Sequence, residues 1–190
     1  MLIAAAILVL RDRVPLRPYR ATSPIRWGRN KIAESLAPNF PRAILCAAGE
    51  SYASDCMAKG LTPVLSCEGP CIRGEIARLA ANLVAREVPG LARACHAETF
   101  YVPNSTMARW VGTAARSVVI DGCFLKCHGR VLKSLIGEEK LVHIDALPFH
   151  RRYKDVFSMD DVPEEERKEV ARQVADAIVA KLRDGMPGSL

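Results

Sequence analysis

Residues 116–129 read RSVVIDGCFLKCHG, and the parsing of this run decides the fold. Val118, Val119 and Ile120 are consecutive β-branched residues, the composition of a buried strand. That strand discharges into Asp121-Gly122-Cys123, with a second thiol, Cys127, four residues after the first. Phe124 to Ile136 reads as a helix closed by Gly137, and Leu141 to Ile144 as the next strand. Strand, thiol-bearing turn, helix and strand follow one another with almost nothing between.

The same sequence of events occurs upstream in PVLSCEGPCIRG, residues 63–74. Pro63 to Ser66 is a strand candidate, Cys67 and Cys71 follow it, and Ile72, Ile76, Leu79, Leu83 and Val84 then recur at helical spacing until Pro89-Gly90. Between these two units, Glu98 to Val102 (ETFYV) is rich in β-formers and reads as a second strand, after which Asn104 or Ser105 caps a helix to about Ala115. The last helix, within DDVPEEERKEVARQVADAIVAKLRDG, is acidic at its start and basic near its end, as the helix dipole prefers. Alternating strands and helices predict a mostly parallel α/β sheet of four or more strands, flanked by helices in a Rossmann-like arrangement, with its cysteines at the carboxyl ends of the strands.

The chain of 190 residues, 49% of them apolar, suits one sizeable core. Its net charge of +6 is concentrated near the start: residues 1–56 hold eight Lys/Arg against four Asp/Glu, the remainder nineteen against seventeen. With no basic block or aromatic-rich basic face beyond residue 56, nucleic acid is not an expected partner. MLIAAAILVL is too short for a membrane span and lacks a basic residue before it, so neither a span nor a secretory signal is expected. Residues 11–42 are dense in Pro and Arg, and residues 1–56 read as a poorly ordered extension, or as the product of an upstream start, ahead of a domain over 57–185. Seven cysteines, an odd number, point to reduced, metal-binding or catalytic thiols and to the cytoplasm rather than to a secreted disulfide framework.

Ligands of open α/β sheets bind beyond the carboxyl ends of the strands. Cys67 and Cys123 fall there, each ahead of a helix whose N-terminal N–H groups favour thiolate. Cys71 and Cys127 each add a thiol at a spacing compatible with zinc, and Cys95 beside His96 is a further candidate. Asp121 either orients a ligand-bearing loop from behind or caps the following helix. Gly122 is expected to supply backbone freedom, and His128, beside a ligand candidate, is either an additional ligand or an exposed or packed residue, the latter favoured because adjacent helical residues point about 100° apart. His96 is open to either role, while His143 reads as a core or surface residue and His150 as part of a basic loop. Cys46 and Cys56 lie in the proposed extension.

The run VVIDGCFLKCHGRVLK, preceded by LSCEGPCIRGEIARLAANLVARE, resembles the DGC-domain family of small prokaryotic proteins described as candidate zinc binders. The resemblance spans about residues 62–145 and is looser beyond. It implies Cys67, Cys95, Cys123 and Cys127 as the ligand set. Glu68 stands where that family usually has a small Ser, and Cys71 is an added thiol.

Two functions follow. One is a metal-binding protein, with zinc as the ion and an iron–sulfur cluster as the alternative. The other is a thiol oxidoreductase or thiol-dependent transferase in which Cys123 attacks and Cys127 or Cys71 resolves; the absence of C-x-x-C weighs against it. Nucleotide binding has only the fold class behind it, because no Gly-rich phosphate loop is present.

Overall fold

The structure is a computed structural model that describes residues 45–153, 157 and 159–185, with side chains of the last helix described through residue 183. The expected extension over residues 1–56 thus lies mostly outside the described residues. Its final part is a helix, α1 (Ala47–Ala58), followed by β1 (Thr62–Ser66), α2 (Ile72–Glu87), β2 (Leu91–Arg93), α3 (His96–Tyr101), α4 (Thr106–Thr113), β3 (Ser117–Asp121), α5 (Cys127–Ile136), β4 (Leu141–Asp145) and α6 (Glu164–Gly185). Short 3-10 turns occupy Leu147–Phe149 and Met159–Asp161.

The four strands form one parallel sheet in the order β2-β1-β3-β4. Every residue of β3 is buried, as its β-branched run requires of a central strand covered on both faces. One face carries Val64, Val118, Ile120 and Ile144 against α2 and α6, with Ile76, Val84, Val174 and Ile178 closing the layer. The opposite face carries Leu65 and Val119 against α1, α4 and α5, where Met107, Trp110 and Leu132 are the large buried side chains. Trp110 fits there because its indole N–H donates to the carbonyl of Leu61 at 2.9 Å, leaving no polar atom stranded.

The strand order places the site. From β1 the chain passes through α2 to β2 on one side, then returns through α3 and α4, beyond β1, to β3. The crossovers lie on opposite faces of the sheet, so a crevice opens between the carboxyl ends of β1 and β3. It is the topological switch point at which open α/β sheets bind ligands.

Two sequence expectations are corrected. The second strand is Leu91–Arg93, not Glu98–Val102; ETFYV lies in α3 and its exit. Thr62↔Leu91 to Val64↔Arg93 fill the free edge of β1. The next segment instead turns helical from Cys95, with Glu98 and Thr99 buried and the Thr99 hydroxyl donating to the Cys95 carbonyl at 2.7 Å. Tertiary packing overrides β propensity here. The helix after the Asp-Gly-Cys turn begins at Cys127 rather than Phe124, because Lys126 takes a left-handed conformation, φ 49°, that interrupts it. Among the described residues no helix is long and apolar enough to cross a membrane.

Candidate metal centre at the strand ends

Both strand-to-helix connections are five residues long, 67–71 after β1 and 122–126 after β3. Cys67 prolongs the ladder: its N–H donates to the Ile120 carbonyl at 2.9 Å, and its side chain is buried. Arg93 secures the loop that follows. Its guanidinium donates to the Val64 carbonyl at 2.8 Å and the Ser66 hydroxyl at 3.1 Å, and pairs with Glu68 at 2.9 Å. The unusual Glu68 is thus neutralised from β2. Cys71 is the N-cap of α2, its sulfur accepting from the N–H of Gly74 at 3.4 Å.

At the second connection Asp121 caps the helix that follows and also reaches β4. Its Oδ2 accepts from the Gly129 N–H at 2.9 Å, which satisfies the start of α5, and meets His143 Nε2 at 2.9 Å. Lys126, the formal N-cap, contributes no side-chain bond to that helix. The helix comes this close because Gly129 has no side chain: a Cβ there would stand 2.7 Å from Asp121 Oδ2 and 2.8 Å from His143 Nε2. Gly122 serves a similar purpose, which corrects the expectation of backbone freedom. Its φ is not among the positive ones, and a Cβ would collide with the Arg73 carbonyl. The residue is small so that α2 can pass.

These loops bring Cys67, Asp121 and His128 together, with one ligand atom of each within 4.8 Å of the others. A tetrahedral zinc shell with bonds of about 2.0–2.3 Å has ligand atoms roughly 3.4–3.8 Å apart, so the group is at most about 1 Å wider than a closed shell. Two atoms mark it as incomplete. Asp121 Oδ1 and His128 Nδ1 are buried without a hydrogen-bond partner among the described residues. A buried polar atom left so costs about 1–3 kcal/mol, more when charged, and a cation would satisfy both. Burial pushes the Cys67 thiol up to about 11, and the nearby Cys123, Asp121 and Cys71 add to the rise against a lowering contact from the Gly69 backbone. Without a cation this sulfur stays protonated; a bound metal reverses that balance.

His128 lies beside His96 with ring centroids 4.6 Å apart and planes tilted by 52°, and both rings contact Phe100. Burial holds both imidazoles below the usual histidine range, and His96 lowers His128 further. Both are therefore neutral at pH 7, the protonation state that binds metal.

The expected residues are distributed unevenly. Cys67 and Cys123 are both buried at the crevice, but of the two only Cys67 belongs to the close group. Cys95, the N-cap of α3, and Cys127, the first residue of α5, are exposed, and neither joins the close group. His128 is drawn in while its neighbour Cys127 faces solvent, since α5 starts three residues later than expected and turns its first residues by that offset. Sequence reasoning missed His143. The signal lay in the pairing of β3 with β4: Val119↔His143 and Asp121↔Asp145 are separated by the single rung Ile120↔Ile144, and alternation puts His143 on the face that carries Asp121. His150 is not in a solvated loop; it is 1% exposed, with no partner for either ring nitrogen among the described residues.

Comparison with family models gives a match to the DGC domain over residues 63–174. Neither the curated proteins nor the solved structures compared with the chain contain a match.

Proposed function

Since the chain belongs to the DGC domain family, we propose that it is a metal-binding protein whose ion is zinc, held by Cys67, Asp121 and His128 with Cys123 completing the shell. The observation that carries this reading is the buried Asp121 Oδ1, unpartnered in a group that also holds a thiol and an unpartnered imidazole nitrogen. Nitrogen, sulfur and carboxylate oxygen are all zinc donors. The mixture supports zinc over an iron–sulfur cluster, whose usual ligands are four thiolates. Bound zinc would supply a Lewis-acidic centre and a link between the two loops.

The thiol-exchange reading needs an accessible nucleophile, and Cys123 is only 8% exposed. Burial of the sulfur favours a ligand over an attacking group. All seven cysteines are unpaired, which supports a reducing compartment such as the cytoplasm.

The test is elemental analysis of the full chain purified without added metal or chelator. About one zinc per chain is expected, lost in Cys67→Ser and Asp121→Asn and retained in Cys95→Ser and Cys127→Ser. The four-thiolate shell of Cys67, Cys95, Cys123 and Cys127 makes the opposite prediction for Asp121→Asn, Cys95→Ser and Cys127→Ser. Metal-free protein in every case would defeat both shells.

A further inference from the structure

Beside the metal group, a cleft of about 460 Å³ opens between the Asp-Gly-Cys turn, the first turns of α5 and the edge strand β4. Its size is that of a small-molecule site. Its walls have two characters. Phe124 and Leu125 stand 60% and 50% exposed on the turn, two consecutive large apolar side chains offered to solvent on backbone fixed by the Lys126 N–H bond to the Cys123 carbonyl at 3.2 Å. Lys126, Arg130 and Lys133 line the same cleft, together with Glu138.

The charges decide the ligand. Lys126 pairs with Asp145 at 2.9 Å and Lys133 with Glu138 at 2.7 Å. The Arg130 side chain has neither a hydrogen bond nor an ion pair among the described residues, so the uncommitted charge in the cleft is a guanidinium. His143 lines the inner end, where its Nε2 meets Asp121. A lining that combines apolar side chains with a planar cation lacking a side-chain partner among the described residues matches a molecule with a flat or branched hydrocarbon body and one negatively charged head. A simple inorganic anion would leave Phe124 and Leu125 unused, and a cation would meet Arg130.

We propose that this cleft binds a small organic anion, an aromatic or branched aliphatic body bearing a single carboxylate or sulfonate, with Arg130 holding the head and Phe124 and Leu125 covering the body. The site uses none of the thiols and is separate from the metal ligands, though the two adjoin at Asp121. Heat of ligand binding reads it directly, so it stands or falls apart from zinc content.

The experiment is isothermal titration of the full chain with naphthalene-2-sulfonate, sodium sulfate and 2-naphthol. One site for naphthalene-2-sulfonate is expected, with affinity falling as salt rises and clearly weaker or no binding of the other two. Arg130→Gln should weaken binding about tenfold, the loss of one charge-assisted contact, and Phe124→Ser severalfold. Lys181→Gln, exposed on α6, should leave binding unchanged. Both cleft residues are exposed, so circular dichroism melts of these variants should match the parent. Absence of naphthalene-2-sulfonate binding, equal binding by sulfate or 2-naphthol, or full affinity in Arg130→Gln would each overturn the proposal.

Discussion

Asp121 and the glycines around it show how little room the site leaves for variation. Gly122 faces main chain: the obstacle is the Arg73 carbonyl, with the Ala77 Cβ 3.0 Å from the added carbon. Neither obstacle can rotate away, so Gly122→Ala has to push α2 from the sheet. The expected cost is about 2–3 kcal/mol, at the upper range for overpacking, read as a lower midpoint in urea unfolding with an unchanged slope. A midpoint equal to that of the parent would mean that the turn yields more readily than its contacts imply. Gly122 and Cys123 were legible as a turn delivering a thiol. The reason for the glycine was not, because close approach of a helix distant in sequence leaves no local trace.

Among the elements, β1, α2, β3, β4 and α6 follow from periodicity and breakers, since each signals its period over five or more residues. β2 failed to announce itself because Leu91–Arg93 is three residues long and has no β-branched side chain; it is a strand because β1 offers it an edge. The same locality hid the segment after β4. In PFHRRY the basic neighbours suggested solvent, yet His150 is enclosed, and burial, reinforced by Arg73, pushes its pKa down to about 4. The unfolded imidazole takes up a proton near 6.5, so between about pH 6.5 and 4 the unfolded state binds the extra proton and the fold loses stability as pH falls. This contribution is intact above that window and fully lost below it. His150→Leu should flatten the dependence: relative to the parent, its stability should be higher at pH 5 than at pH 8, by up to about 2 kcal/mol. Parallel stability profiles for the two proteins would show that His150 is not the titrating group.

At the scale of the whole molecule, the described chain places α1 inside the folding unit. Ala53 and Cys56 are buried in the layer that contains Trp110, Tyr52 meets that indole edge-on at 6.2 Å, and Glu50 accepts from the Thr106 N–H at 2.7 Å, satisfying the start of α4. We therefore propose that α1 belongs to the folding unit, which then begins ahead of Met57. A chain beginning at Met57 should lose about 3 kcal/mol or more relative to the full-length protein, a fall of roughly 10 °C. Equal melting of the two would restore the boundary at Met57. The parallel architecture was readable from the alternation of elements, and the cysteines were correctly assigned to its carboxyl edge. Which donors converge was not readable, since that depends on a strand order and a helix offset expressed only in three dimensions.

The two sides of the sheet also differ in how they are fastened. The α2 and α6 layer is packed on a broad apolar cluster, with the Arg172–Glu87 pair at 2.6 Å joining the two helices, whereas α5 is pinned to β3 and β4 through one carboxylate that grips a helix amide and a histidine. An ion seated on the free oxygen of that carboxylate would act as a rivet through loop, strand and helix at once. Drawing it out would slacken one flank of the molecule and leave the other tight, so the protein would respond to its metal as a hinged leaf rather than as a uniformly softened body.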